Sequence, residues 1–259
     1  MVLLLMGTVP IGAARKVQDS SPVYRYTQLE CAAFSQTVRS DVRVENGGRP
    51  RLETSGRTGR IALRAQAAEG GIALEAWFDW LSMYAESEGS RRVPDSDGLI
   101  GGRFRGHLSQ YGEYLEETRP FVPDEVAEIA DLGGTMQDLL PPLPQQSLQP
   151  GQVWSDSSGI RITRLSDSLA GTIAISRYRI ERHSDRREQR EVFDSLTSEV
   201  HEVEDEKSVF AWHPRDGVLS WSRRITAETS IPASGQLTRP LRTRVEQQIG
   251  LLRREEACK

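Results

Sequence analysis

A chain of 259 residues, 37% hydrophobic and 27% charged, is long enough for one large or two smaller β domains with a modest core per residue. That balance suits a sheet that keeps one face wet. Its net charge of −4 and pI near 5.7 argue against a general nucleic-acid binder, which carries a basic excess. The basic residues are arginines apart from Lys16, Lys207 and Lys259, the habit of a GC-rich genome.

Residues 1–14, "MVLLLMGTVPIGAA", are uncharged and mostly apolar, too short to span a bilayer but matched to the core of a signal peptide. Gly12 and Ala14 would stand at −3 and −1 of a cleavage after Ala14, which places the protein in the periplasm or outside the cell. No basic segment precedes Val2, which a start codon upstream would explain, and Arg15-Lys16 follow directly. Export would let Cys31 and Cys258 pair, closing a loop over nearly the whole chain. Two unpaired thiols are the alternative.

The segments "VYRYTQLE" (23–30), "SQTVRSDVRVE" (35–45) and "RIALRAQAA" (60–68) read as strands, separated by the turn clusters "NGGRP" and "TSGRTG". In "ALEAWFDWLSMYAES" (73–87) a helical spacing of Trp77, Trp80, Leu81 and Tyr84 competes with an alternating set, Leu74, Ala76, Phe78 and Trp80. The Gly70-Gly71 hairpin signal before it favours a strand. "PDEVAEIADL" (123–132) is expected to form a helix capped by Asp124, with Val126, Ile129 and Ala130 as its apolar stripe and Gly133-Gly134 as its stop. The segment "DLLPPLPQQSLQPGQVW" (138–154) follows. A flexible linker would be rich in glycine, serine and charge, and a docking peptide would use the Pro141–Pro144 spacing. The leucines at 139, 140, 143 and 148 point instead to a rigid joint that buries them against a sheet.

Beyond the joint, "GIRITRL" (159–165) alternates through Ile160 and Ile162. In "TIAISRYRIER" (172–182) the apolar phase slips between Ile175 and Tyr178, as at a β-bulge. "GVLSWSRRITAETSI" (217–231) places Leu219, Trp221, Ile225, Ala227 and Ile231 on one face and Ser220, Ser222, Arg224, Thr226, Glu228 and Ser230 on the other. "LRTRVEQQIGLL" (241–252) suits strand or helix, with Thr243, Val245 and Gly250 favouring strand. Asp97-Gly98 and Asp216-Gly217 each follow an aromatic-rich strand and a proline, Pro94 and Pro214, and open similar alternating runs. This suggests an internal duplication, or chance recurrence of a common turn.

The expected fold is mainly β: two similar long-stranded antiparallel curved sheets, half-barrel-like, joined by a short helix and a Pro-rich segment. The parts are a leader (1–14), an N-terminal β half (15–122), the joint (123–150) and a C-terminal β half (151–259). The run Leu140-Pro-Pro-Leu-Pro144, Leu148, Pro150-Gly151 and Trp154 is similar to a segment of several uncharacterised bacterial exported domain families. The long antiparallel strands around it resemble the half-barrel proteins of the cell envelope, which include periplasmic lipoprotein carriers. The resemblance implies a curved sheet whose concave face holds lipid or another apolar ligand, and it carries no functional residue over.

No catalytic signature is present. His107, His183, His201 and His213 form no metal-ligand spacing, and neither a nucleophile elbow nor a phosphate loop occurs. Hence no metal, cofactor or catalytic residue is assigned. "SEVHEVEDE" around His201 reads as a solvated acidic hairpin tip and "RHSDRREQR" as a solvated loop or strand end. Candidate ligand-binding residues are Trp77, Phe78, Trp80, Tyr178, Trp212 and Trp221, each of which would otherwise be core. The leading expectation is a non-catalytic exported module binding an apolar small molecule such as a lipid, or an envelope protein, with no nucleic acid and no transmembrane span. A scaffold without a cavity is the alternative, and a hydrolase using a histidine–carboxylate pair is a third.

Overall fold

The computed structural model describes residues 21–129, 132, 135–137, 139–170, 173–193, 196–233 and 239–254. Its elements in chain order are α1 (Tyr26–Leu29), β1 (Ala33–Glu45), β2 (Arg51–Ala68), β3 (Gly71–Ser87), β4 (Ser90–Arg92), a 3-10 turn (Asp97–Leu99), β5 (Phe104–Leu108), β6 (Tyr114–Thr118) and α2 (Asp124–Ala127). Then come β7 (Val153–Ser155), β8 (Ile160–Arg164), β9 (Ser168–Ala170), β10 (Ile173–Phe193), β11 (Leu196–His213), β12 (Gly217–Ile231) and β13 (Leu241–Arg254). The fold is mainly β. Its strands form one open antiparallel sheet in the order β6-β5-β3-β2-β1-β13-β12-β11-β10-β8-β7, with β4 on β3 and β9 on β10.

Where two sheets were expected there is one, built from two meanders, β1-β2-β3-β5-β6 and β8-β10-β11-β12-β13. Both cross the sheet in the same direction, so the head of the first lies beside the tail of the second. β1 and β13 pair without a break from Ala33↔Arg254 to Glu45↔Arg242, and the halves are therefore parts of one sheet. The two Asp-Gly pairs are not equivalent. Asp216-Gly217 closes the β11–β12 hairpin, with Gly217 at φ +75°, where a side chain would be strained. Asp97-Gly98 sits in the 3-10 turn, where the Asp95 carboxylate accepts the Asp97 N–H at 2.9 Å.

Several local expectations are corrected. Residues 26–29 form a helical turn rather than a strand, because the Arg25 N–H donates to Gln28 Oε1 at 3.0 Å and Gln28 and Leu29 are buried. "TSGRTG" is no turn but the middle of β2, where its glycines admit neighbours: a Cβ on Gly56 would stand 2.6 Å from the Tyr84 ring. The helix after Pro123 is one turn long, Pro123 rather than Asp124 takes the cap position, and Ala130, Gly133 and Gly134 lie outside the described residues. The register with β11 is unbroken from Ser176 through Tyr178, and across this step β10 exchanges neighbours, β9 for Ile173–Ile175 and β8 for Tyr178–Arg182. Bulges do occur at Asp79, between the pairs Arg60↔Trp80 and Ile61↔Phe78, and at Leu219. The arginine-rich run 182–190 is the exposed end of β10, as the strand-end reading has it, and the acidic run around His201 is the facing start of β11 rather than a tip, the two laced by Arg190–Glu202, His183–Asp205 and His201–Asp185 pairs.

The core lies on one face of the sheet. Phe34, Leu63, Phe78, Phe104, Tyr178, Phe210 and Trp221 belong to it, and the segment after β6 covers it. Leu139, Leu140, Leu143 and Leu148 are all buried, at 0–3% exposure. The cover is pinned by hydrogen bonds from Tyr24 OH to the Pro141 carbonyl (2.8 Å), from the Leu143 N–H to the Tyr111 carbonyl (2.9 Å), and from Arg164 Nη1 to the Leu148 carbonyl (2.6 Å). Proline-restricted backbone loses less entropy in taking this path.

Candidate functional site

Alternation along each strand divides its side chains between the core face and its reverse. Phe34, Gln36 and Val38 of β1, Ile249 and Leu251 of β13, Trp221 and Arg223 of β12, and Phe210, Ser208 and Glu206 of β11 are buried on the core face. The reverse face therefore carries the residues between them, and the register aligns these in rows. One row is Arg177, Ala211, Ser220, Leu252 and Ser35. The next is Arg179, Val209, Ser222, Gly250 and Thr37, followed by Glu181, Lys207, Arg224, Gln248 and Arg39.

These rows form a trough. A hollow of about 450 Å³ is walled by the first two and merges, through Thr37, Val209, Ser222 and Gly250, with another of about 780 Å³ around the third. A further hollow of about 780 Å³ continues along the same face, from Leu52 and Thr54 of β2 across β1, β13 and β12 to His201 and Val203 of β11. Residues of five adjacent strands thus line one open hollow. The floor of the trough is open because small side chains coincide on neighbouring strands: Ser35, Thr37, Gly250, Ser220, Ser222 and Ala211. The aliphatic stems of Arg and Lys supply much of the remaining wall.

Charge is unevenly placed along the trough. In its far part cations and acids are matched: Arg39 donates twice to Asp41 at 3.0 Å, Arg43 pairs with Glu45, and Arg244 with Glu228 and Glu246. The hydrogen bond from Arg39 holds the Asp41 carboxyl below its usual range, aided by the Thr54 hydroxyl at 2.7 Å. In the middle part Lys207 and Arg224 stand opposite one another, with Arg179 nearby, and none of the three has an ion-pair partner among the described residues.

The six aromatic candidates are not brought together. Phe78, Tyr178, Trp212 and Trp221 are 1–4% exposed in the core. There Tyr178 stacks on Phe210 with centroids 4.9 Å apart, and Trp212 meets Tyr24 edge-on at 5.3 Å. The bulge at Asp79 shifts the buried phase from Phe78 to Leu81, which leaves Trp80 52% exposed. Trp77 lies on the reverse face, donating to Asp79 Oδ1 at 2.7 Å beneath the Arg103 guanidinium. Lys207, Arg224 and Arg179 were missed as site residues. Alternation marks them as wet, and nothing in a single strand shows that the wet face is hollow.

Cys31 is disulfide-bonded, and its expected partner Cys258 lies outside the described residues, as does the leader 1–14. Each histidine faces a carboxylate: His107 with Glu117, His183 with Asp205 and His201 with Asp185 at 2.9 Å, and the buried His213 with Asp216 at 2.5 Å. None of the four rings hydrogen-bonds a hydroxyl or thiol among the described residues. No group of three or more His, Cys, Asp or Glu among the described residues has the arrangement of a metal site, and no helix there is long and apolar enough to cross a membrane.

No family model matches the chain, and no curated protein matches it in sequence. Among solved structures it is similar in fold to lipovitellin, in a structure concerned with lipid–protein interactions. The TM-score is 0.50 at 9% identity over 89% of this chain, which spans 25% of the lipovitellin chain. A DUF1329 family protein from Desulfovibrio piger aligns over 85% of both chains at 9% identity, with a TM-score of 0.15, too low to support an argument about fold.

Proposed function

We propose that this protein is a non-catalytic module of the cell envelope, exported from the cytoplasm, that holds an apolar ligand such as a lipid, or part of an envelope partner, in the trough on the reverse face of its sheet. The observation that carries this reading is the continuous hollow with a floor of small residues contributed by neighbouring strands. A sheet serving only as a scaffold has no need to keep that face open. Likeness of fold to lipovitellin supports a lipid as the ligand, and the resemblance to half-barrel envelope proteins points the same way. The apolar residues 1–14 and the oxidised state of Cys31 support export. A hydrolytic role has less support, because no hydroxyl or thiol among the described residues is hydrogen-bonded to a histidine ring that could activate it.

The test is extraction of protein purified without detergent from its native compartment, followed by mass spectrometry. A stoichiometric co-purifying lipid or other apolar molecule is the expected result. Protein that carries none, and that takes up no lipid from vesicles, overturns the reading in favour of a scaffold.

A further inference from the structure

The trough has a polarity that narrows its ligand. Lys207 of β11 and Arg224 of β12 are register partners on the same face. Like charges set directly opposite destabilise a sheet. Neither has an ion-pair partner among the described residues, although Arg39, Arg43 and Arg244 close by each hold an acid. Arg179 of β10 adds a third cation without an ion pair among the described residues. Glu181, the register partner of Lys207 on β10, lies on the same wall without pairing to it. One row beyond Lys207 and Arg224 the central strands present Val209, Ser222 and Gly250, with Arg179 of β10 beside them, and one row further Ala211, Ser220 and Leu252, the last 45% exposed, with Arg177 of β10 beside them. The distance from Lys207 to Ala211 along an extended strand is about 13 Å.

Resting on the ligand-binding reading above, we infer that the trough takes an anionic single-chain amphiphile. Its phosphate or carboxylate head sits between Lys207, Arg224 and Arg179, and its alkyl chain lies along Val209 and Ala211 toward Leu252. The head supplies the charge that the facing cations lack. A guanidinium presents a fork of donors to such an oxyanion, with the ammonium as a second charge. The chain covers the small-residue floor, where it removes apolar surface from water.

Calorimetric titration with dodecyl phosphate below its micellar concentration tests this, with the neutral tetraethylene glycol dodecyl ether and inorganic phosphate as comparators. Dodecyl phosphate is expected to bind at least about tenfold tighter than the neutral ether, with inorganic phosphate far weaker than either. The double substitution Lys207→Gln/Arg224→Gln should abolish that preference, bringing dodecyl phosphate down to the level of the ether. Lys207→Arg should retain it, and circular dichroism should show all variants folded. Equal affinity for both amphiphiles, or a preference that survives the double substitution, overturns this inference and leaves the ligand-binding reading standing. Inorganic phosphate bound as tightly as dodecyl phosphate overturns it as well. Failure of the wild type to bind either amphiphile removes both readings.

Discussion

Arg223 and Glu206 meet on the core face in a two-point pair, Nε to Oε1 at 3.1 Å and Nη2 to Oε2 at 3.0 Å, with side chains only 7% and 6% exposed. They stand on adjacent strands, and the Arg223 guanidinium also lies 4.6 Å from the centroid of the Trp221 ring. Removing one member leaves a buried charge uncompensated. Glu206→Gln or Arg223→Met is expected to destabilise the fold by about 3–5 kcal/mol, and the double replacement Glu206→Leu/Arg223→Met by much less. Denaturant unfolding of the three variants measures this, and additive losses would contradict it.

The glycines of β2 should differ in how they tolerate a side chain. A Cβ at Gly59 would lie 2.9 Å from the Trp80 carbonyl oxygen, which belongs to the backbone of β3 and cannot swing away. At Gly56 the obstacle is the Tyr84 ring, the mobile end of a side chain. Gly59→Ala should therefore lower stability by about 1–3 kcal/mol, and Gly56→Ala by less. Melting temperatures of the two proteins compared side by side decide it.

The joint should behave as core. Leu139 is fully buried, so Leu139→Ala is expected to cost about 2–5 kcal/mol in chemical unfolding. A segment lying loose on the surface would show a change near zero.

Acid should weaken the Arg39–Asp41 link. Asp41 is held below its usual range in the folded protein, so the unfolded chain takes up that proton first as the pH falls. Its contribution is fully present above the ordinary aspartate value near pH 4 and is lost as the pH drops through the lower folded value. Both side chains are about half exposed, so the effect is small. Asp41→Asn should melt slightly below the wild type at neutral pH, with the gap closing in strong acid. A gap that is constant with pH would refute the assignment.

Peptide mapping of the oxidised protein is expected to join Cys31 to Cys258. The pairing of β1 with β13 runs to Ala33↔Arg254, which brings the flanks of the two cysteines to the same end of the sheet. Reduction should lower stability by about 2–5 kcal/mol. Recovery of Cys31 linked between two chains would show a different partner.

Much of this architecture can be read from single segments. The alternation of 221–231 specifies a strand with one wet and one buried face, because side chains two apart share a face wherever no bulge intervenes. The leucines among the prolines of 139–148 specify a buried segment, because apolar surface without charge or glycine leaves water. The charged parts of β10 and β11 next to their turn were harder to read for the opposite reason. A ribbon whose charges answer one another across strands carries no apolar alternation to announce it.

What local sequence could not decide is what depends on neighbours. Whether Trp80 faces in or out turned on one extra residue at Asp79, and a bulge exists only relative to a partner strand. The joining of two meanders into one sheet turned on β1 meeting β13 from the far end of the chain. The trough turned on small residues of four strands falling into register where the sheet bends. The chain by itself determined which residues prefer water, since that is a property of each side chain. Only the tertiary structure decided which of those wet residues surround a hollow, because curvature and register belong to the assembled sheet.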